Sequence, residues 1–401
     1  MKDLWKIIPL LATLLVTACG QQQGGEPETQ FMVQGIGFQE EDGGQWGIMD
    51  MEGNVVIEPR FSDITTPVVN GVFTSVGSES CTLYAIDGHE ARKIGTYKSA
   101  GSFATGLCPV IDMDLQAKYI DKEGKTVIDL SMADGVRVVR ADNFSCGRAL
   151  VERQDGTHGY IDEQGNTVVP FSYVNAYSYA EDVALVWLQS PRGNKSAQWA
   201  VIDRQGEVLY TKQFKEFIPM DYMYQEGFLV VSGSDEERYY LLDREGKVAH
   251  RFGKGVLPYS LPVNGMLMAY DRSTQKNGLT DTEGHWVLEP QFSTVCYNGR
   301  LLAASTDDEV YTLYSLQGEE LEQLPKGYPA IFGQEFRNYD DFILVHRYKK
   351  GYTLTDGSGQ RLEDKTRCYD SNSSYSEMAY IVDNDSSEEG EEYEDGDGWG
   401  W

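Results

Sequence analysis

Short apolar segments alternate with polar turns along almost the whole chain, and the clearest example lies at 158–174. Its sequence, HGYIDEQGNTVVPFSYV, predicts a strand over 159–161, a turn over 162–165 and a returning strand over 167–169 that ends at Pro170. Asp at the first turn position and Gly at the fourth are typical of a type I turn followed by a left-handed glycine. The stretch therefore predicts a β-hairpin.

The same hairpin recurs at spacings of 34 to 41 residues, and a second marker keeps pace with it. This marker is a small or acidic residue followed by an apolar strand, and its nine copies run from 71–76 to 377–382. Two markers with one spacing indicate an internal repeat of about nine units. The turns begin at Asp50, Asp87, Asp121, Asp162, Asp203, Asp243, Asp281, Ser315 and Asp356, and the turn glycines are Gly53, Gly124, Gly165, Gly206, Gly246, Gly284, Gly318 and Gly359.

The repeat predicts an all-β fold of tandem β-hairpin units of about forty residues, because no stretch keeps a helical period. One hairpin is marginal in water, whereas stacked units of three or four strands cover one another's faces. This spacing favours a β-propeller, with an open curved array of stacked β-hairpin units as the alternative. Nine units exceed the usual four to eight blades. The last apolar strand, at 377–382, is expected to complete the first or the last sheet.

A third marker, Pro followed by an aromatic residue, comes after the returning strand in the best copies, at 58–64, 169–174 and 289–295. The Pro is expected to end strand pairing, and the aromatic ring to fill the gap between neighbouring units. With Trp46-Gly47 ahead of the first turn, this pattern resembles the WG (KWG) repeat of exported bacterial proteins. The resemblance covers about 35–360, and it implies a repeat type without implying any catalytic residue.

The N-terminal residues have the pattern of a targeting segment. Lys2 and Lys6 precede an apolar run that is too short to span a bilayer as a permanent helix. Val-Thr-Ala-Cys at 16–19 resembles the lipobox of bacterial lipoproteins, which implies cleavage before Cys19 and lipidation of its sulfur. We therefore expect a signal peptide over 1–18, a flexible tether over 19–34 and a lipid-anchored protein of the bacterial cell envelope. The outer membrane is favoured because position 20 is not Asp.

Charge separates the repeat domain, at 35–382, from the tail at 383–401. The net charge is −29, and the tail carries nine carboxylates and no basic residue. Such a tail is expected to be solvated and disordered. The repeat domain keeps a negative net charge without the tail. This charge argues against nucleic acid as a partner, because nucleic-acid recognition needs a basic surface. The lipid is then the expected membrane attachment.

No arrangement of residues predicts catalysis, a metal site or a cofactor. The five histidines are scattered and no zinc motif occurs. The turn carboxylates are expected to accept backbone N–H groups, which is a structural role. The five cysteines after Cys19 are expected to be isolated buried thiols on strands in preference to disulfides.

Irregularities in the repeat are the places where binding is expected, since loops on a rigid scaffold often carry it. The longest spacing between apolar-strand markers has its surplus residues at 187–198 and 212–227. The second insertion is rich in aromatic residues, although such rings could equally fill the gap between units. The possible binding-loop residues are Phe214, Phe217, Tyr222 and Tyr224.

The sequence thus predicts a non-catalytic binding or scaffolding surface for a protein or glycan partner. The alternative is an envelope carbohydrate-processing enzyme, which would need unlike polar residues that break the repeat to converge at one end of the propeller. A purely structural spacer is a third possibility.

Overall fold

The computed structural model describes residues 33–323, apart from gaps at 41–42, 51–53, 104–105, 193, 195, 234–236, 298, 300–301 and 309. It further describes 328–330, 342–347, 351–356, 368–369 and 378–381. The predicted signal peptide, Cys19, the turn glycines Gly53 and Gly359, and the acidic tail lie outside these residues. The first strand begins at Val33, two residues before the predicted start of the repeat domain.

The described residues form consecutive antiparallel units of three to five strands. The first two units share one sheet, because a short strand of unit 2, Val68–Val69, pairs with the start of unit 1. The strands of units 1 to 3 are Val33–Gln39, Trp46–Asp50 and Val55–Phe61; Ile64–Thr65, Val68–Val69, Val72–Val76, Cys81–Asp87 and Glu90–Tyr97; and Ser99–Ala100, Cys108–Ile111, Ala117–Ile120 and Thr126–Asp129.

Units 4 to 6 each form a separate sheet. Unit 4 has an additional hairpin strand, Met132–Ala133, before its first long strand. The other strands of these three units are Val136–Asp142, Ala149–Arg153, His158–Ile161 and Thr167–Tyr173; Asn175–Ala176, Val183–Trp187, Gln198–Asp203 and Val208–Gln213; and Phe217–Pro219, Leu229–Gly233, Tyr239–Leu242 and Val248–Arg251.

Units 7 to 9 continue the same order, with three described strands in the ninth. Their strands are Val256–Pro258, Met266–Asp271, Lys276–Asp281 and Trp286–Phe292; Thr294–Tyr297, Leu302–Ser305, Thr312–Tyr314 and Glu320–Gln323; and Tyr328–Ala330, Phe342–Arg347 and Gly351–Asp356. Two short strands follow, Cys368–Tyr369 and Met378–Tyr380.

The chain is an all-β propeller of nine units, as counted over the described residues. Cys368–Tyr369, which follows the ninth unit, pairs with Val33–Gln39 of the first, so the end of the fold completes the beginning. In a propeller the sheets surround a central channel. We call the first strand of each unit its inner strand, and in unit 4 we give this name to Val136–Asp142, its first long strand. The prediction of tandem β-hairpin units in a propeller is confirmed.

The hydrophobic core is divided into clusters that each lie between two consecutive units. Ile128 of unit 3 packs with Ile161 of unit 4 in one cluster, and Tyr160 of unit 4 packs with Ala184 of unit 5 in the next. Alternation along a strand sends successive side chains to opposite faces, and both faces of the sheet are therefore covered. Burial between units stabilises the array, as in other repeat proteins.

Three expectations about the repeat are wrong in detail. Pro170 does not end its strand: Thr167–Tyr173 continues through it, and the register shifts there, so its missing N–H falls at a bulge. The strand at Met378–Tyr380 joins unit 4 and not the first or last sheet. Cys146 is disulfide-bonded and lies in a turn, whereas Cys81 and Cys108 are the expected buried free thiols.

Candidate binding surface

The turn aspartates hold the hairpins by accepting backbone N–H groups. Asp162 Oδ1 accepts the N–H of Gln164 at 3.0 Å and that of Asn166 at 2.8 Å, and Gly165 has φ 83°. Four other turn aspartates accept the backbone N–H groups of the residues two and four positions after them in the same way. They are Asp121, Asp203, Asp243 and Asp281. Asp50 accepts the N–H of Asn54, four positions on, and Asp356 ends its strand.

The turn glycines have a second role that the sequence pattern did not indicate. A Cβ on Gly165 would lie 2.8 Å from Ile128 Cγ2 of the preceding unit. A Cβ on Gly206 would lie 3.1 Å from Val169 in the same way. The hairpin tip therefore packs directly on the outer strand of its neighbour, and glycine is required both for its positive φ and for this close approach.

Hydrogen bonding favours the ionised form of two turn carboxylates, those of Asp162 and Asp281. Partial burial would raise the pKa of Asp162, but the bonds from Asn166 and Gln164 outweigh it and hold the pKa below its ordinary value. The pKa of Asp281 is lowered in the same way by bonds from His285 and Glu283. A group held in its charged form by backbone N–H groups is suited to fixing a turn and not to giving up a proton.

One turn brings three potential metal ligands together among the described residues. A carboxylate oxygen of Asp281, one of Glu283 and a ring nitrogen of His285 all lie within 4.8 Å of one another. Glu283 and His285 are exposed, and His285 Nδ1 lies 3.1 Å from Asp281 Oδ2. Asp281 Oδ1 already accepts two backbone N–H groups, so the arrangement is accounted for by the turn.

Two of the possible binding-loop residues are part of the core. The ring of Phe214 is buried and meets Trp187 edge to face, with centroids 5.1 Å apart. Tyr224 is also buried, and its hydroxyl donates to the Asp243 carbonyl at 2.8 Å. These rings fill the gap between units 5 and 6, which is the alternative that the sequence left open.

Phe217 lies in the inner strand of unit 6 and is half-buried. It packs edge to face on Tyr240 with centroids 5.2 Å apart, and Lys212 Nζ lies 5.5 Å from its ring centroid. Its carbonyl accepts the indole N–H of Trp199 at 2.9 Å. Phe217 therefore belongs mainly to the packing between units.

Tyr222, like Phe217, is half-buried at the margin of the core between units 5 and 6. It has φ 54°, and its ring stacks on that of Tyr177 in unit 5, with centroids 4.3 Å apart and planes 4° from parallel. Trp187 lies against both rings. Burial raises the pKa of the adjacent Asp221, although its side chain reaches solvent. The sequence reading missed Tyr177, which follows its inner strand in unit 5 as Tyr222 does in unit 6.

Polar residues that break the repeat form a row across unit 4. Strand register places Arg140 opposite Glu152, Glu152 opposite His158, and His158 opposite Tyr173. Opposed residues in antiparallel strands share one face of the sheet. His158 takes the position that Trp46 has in the first unit, directly before the same glycine, and it is 6% exposed.

The charges of this row are mutually satisfied. Arg140 makes two bonds to Asp142, at 2.8 and 3.0 Å, and Ser178 of unit 5 donates to the same carboxylate at 3.0 Å. His158 Nε2 lies 3.5 Å from Glu152 Oε2. The hydrogen bond from His158 holds the pKa of Glu152 below its ordinary value, while burial opposes it. Asp142 and His158 are buried, at 3% and 6% exposed, whereas Arg140 and Glu152 are half-buried.

Comparisons with known proteins agree with the repeat and the fold. Two segments, 46–74 and 159–186, match a family model described as the WG containing repeat. The resemblance in repeat type is thereby confirmed for these two segments, which run from unit 1 into unit 2 and from unit 4 into unit 5. No curated protein matches the chain.

Similar solved structures include a crystal structure of the eukaryotic initiation factor, at 10% identity and a TM-score of 0.54. The similarity covers 87% of this chain and 98% of that one, and at this identity it is a likeness of fold alone. BamB from Moraxella catarrhalis is similar at 13% identity, 78% and 88% coverage and a TM-score of 0.36. The Dos1 propeller is similar at 12% identity, 69% and 86% coverage and a TM-score of 0.36. Among the described residues, no helix is long and apolar enough to cross a membrane.

Proposed function

We propose that this protein is a lipid-anchored repeat protein of the bacterial cell envelope, attached through Cys19 and favoured at the outer membrane. It acts as a non-catalytic binding or scaffolding surface for a protein or glycan partner. The propeller and the WG-repeat segments support the binding role. The lipobox-like sequence at 16–19 supports the anchor.

The observation that carries the binding role is the half-buried stack of Tyr177 and Tyr222. The repeated residues are used in turns and between units, whereas these two rings belong to no repeat marker and reach the surface. Aromatic rings give large contact area at low entropic cost and are enriched at binding surfaces. Asp221 beside them supplies a carboxylate that can accept hydrogen bonds from a sugar hydroxyl or an amide.

A non-catalytic role is favoured over a hydrolase because both carboxylates of the polar row of unit 4 are engaged by neighbouring side chains. A glycosidase needs two carboxyl groups that reach the same sugar. Here Asp142 is bound to Arg140 and Ser178, and Glu152 faces the buried His158. Turnover of a glycan by the purified protein would contradict this choice.

The binding role is tested by crosslinking and pull-down from the native envelope. Tyr222→Asn keeps a residue that tolerates positive φ but removes the ring, and we expect it to reduce the recovered partner at least ten-fold. Tyr259→Asn removes another exposed tyrosine, outside the stack, and is the matched control. Equal recovery with both variants would contradict the assignment of this surface.

The anchor is tested separately with Cys19→Ala. We expect this variant to lose incorporation of radioactive palmitate and to leave the membrane fraction, since one or two acyl chains supply the attachment. Labelling that persists in the variant would contradict lipidation at Cys19.

A further inference from the structure

The short strand Met378–Tyr380 is an added sixth strand in the sheet of unit 4, paired with its inner strand. It pairs antiparallel with Val136–Asp142, placing Ala379 opposite Ala141. The backbone N–H of Ile381 donates to the Val139 carbonyl at 2.9 Å. That of Tyr380 donates to Ser99 Oγ of unit 3, also at 2.9 Å. A segment far away in sequence thus covers the inner edges of two neighbouring units.

The edge that receives this strand is long, like that of Val33–Gln39 in unit 1, which receives Cys368–Tyr369. Val136–Asp142 has seven residues, and Met132–Ala133 pairs with only the first two of them. Without Met378–Tyr380, the edge at residues 140–142 would therefore lack a strand partner. Such an edge is a template for any extended segment that can reach it. The inner strands of units 3, 5, 6, 7 and 8 have two to four residues, namely Ser99–Ala100, Asn175–Ala176, Phe217–Pro219, Val256–Pro258 and Thr294–Tyr297.

Side chains add selectivity to the backbone pairing. Ala379 is fully buried and belongs to the cluster between units 3 and 4 that contains Val138 and Ala141. Met378 is half-buried, whereas Tyr380 is 47% exposed. The edge therefore fits an extended segment with a small residue at the central position and tolerates variation at the next one.

We propose that the inner edge of unit 4 is a binding site for an extended segment of a partner protein, and that residues 378–381 occupy it in the free molecule as an intramolecular competitor. A partner would bind by adding its own strand with a small residue in the place of Ala379, a known mode of peptide recognition. This proposal deepens the binding role proposed above and rests on it. It names a site distinct from the tyrosine stack.

Because residues 378–381 occupy the edge in the free molecule, a partner must compete with them. A tethered strand acts at an effective concentration of about a millimolar. A free peptide of equal intrinsic affinity is therefore nearly excluded until the segment is displaced. The site is closed by default and opens to a partner that binds more tightly or is presented at high local concentration.

The test uses the full chain with Ala379→Glu, because a charged side chain does not fit the buried position and should release the segment. The probe is a fluorescent peptide with the sequence of residues 375–383, measured by anisotropy. We expect this variant to bind the peptide at least ten-fold more tightly than the wild type. Tyr380→Ser changes the exposed neighbouring residue and should leave the site closed, as in the wild type.

The remaining outcomes are decisive in either direction. No binding to a folded Ala379→Glu chain, or equal affinity for all three chains, overturns the proposal. If that variant does not fold, the wild type is incubated with millimolar peptide that carries a photocrosslinker at the Tyr380 position. Crosslinks at Ser99 and Arg140 support the proposal, and their absence overturns it.

Two wild-type copies could instead exchange residues 378–381 with each other. A concentration-dependent dimer that binds no peptide would show this exchange and would overturn the proposal of a partner site. Because these measurements use purified protein, they remain interpretable if the envelope pull-down fails. A failed pull-down with successful peptide exchange would reject the tyrosine surface and keep the strand site.

Discussion

The carboxylate of Glu181 in unit 5 accepts the backbone N–H of Gly227 in unit 6, at 2.8 Å. It also accepts the N–H of Glu226, and Arg244 Nη2 lies 2.7 Å from it. Glu226 and Gly227 have φ 53° and 79°, as in the tight turns whose two central residues are both left-handed. The 5% exposed Glu181 side chain thus fastens the turn of one unit to the next.

The same link continues around this end of the propeller. The carboxylate of Glu226 accepts the N–H groups of Asn264 and Gly265 in unit 7, at 2.6 and 2.7 Å. Asn264 Nδ2 in turn donates to the Gly299 carbonyl of unit 8 at 2.6 Å. Each turn is therefore held by a side chain from the turn before it, and units 5 to 8 are connected by polar contacts as well as by the core.

Glu181→Ala should strongly destabilise the protein. It leaves the backbone N–H groups of the half-buried Glu226 and Gly227 without their acceptor and removes the buried partner of Arg244, so we expect the free energy of unfolding to fall by about 3 kcal/mol. Glu226→Ala removes the equivalent link at a half-exposed position and should cost about 1 kcal/mol. Denaturant titration measures both, and equal losses would contradict the burial argument.

Gly165→Ala and Gly156→Ala separate backbone strain from packing between units. Both glycines have positive φ, 83° and 77°, so each alanine costs about 1 kcal/mol for the left-handed conformation. Only at Gly165 would the new Cβ meet a neighbour, Ile128 Cγ2 at 2.8 Å, whereas nothing lies within 4 Å at Gly156. We expect Gly165→Ala to cost about 1–2 kcal/mol more, measured by denaturant unfolding.

This extra cost should shrink when Ile128 is shortened to Ala in the same chain, because the crowded methyl group is then absent. A double-mutant cycle measures the coupling. If the losses in unfolding free energy from the two substitutions simply add, Gly165 is needed for its positive φ alone and not for the close approach to Ile128.

The sequence was informative about features that repeat. The Asp162–Gly165 turn is encoded by local chemistry, in which a side-chain acceptor and a residue without Cβ suffice, and the hairpin follows from it. The spacing of such turns was enough to predict a propeller. The place of Pro170 was misjudged because a bulge depends on the register of the facing strand, which a single strand does not reveal.

Features set by contacts between distant residues were not readable from the sequence. Tyr177 and Tyr222 stack because two units lie side by side, and the strand at Ala379 joins unit 4 through a pairing that no local pattern specifies. Glu181 belongs to none of the repeat markers. Its role depends on where the next turn places two N–H groups.

Acid should weaken the hairpin of unit 4 through Asp162. Its pKa in the folded state is below that of the unfolded chain, so its contribution to stability is present above about pH 4 and is lost as the pH falls through the folded value. Asp162→Asn removes this titration. We therefore expect the variant to be less stable than the wild type at pH 7 and the difference to narrow by pH 3, as followed by denaturant unfolding at each pH. Glu163→Gln, an equal charge loss on an exposed neighbour, should leave the pH profile unchanged.

Two free cysteines should resist alkylation in the folded protein. Burial raises the pKa of Cys81 to about 11 and that of Cys296 to about 12, with Asp308 adding to the second. The thiolate is the reactive form, and a thiol with a raised pKa is almost entirely protonated at pH 8. We expect iodoacetamide at pH 8 to modify both residues at least a hundred-fold more slowly in the native protein than in urea, as measured by peptide mass mapping. Equal rates in the two states would show that these thiols are open to solvent and that the cores between units 2 and 3 and around unit 8 are not closed.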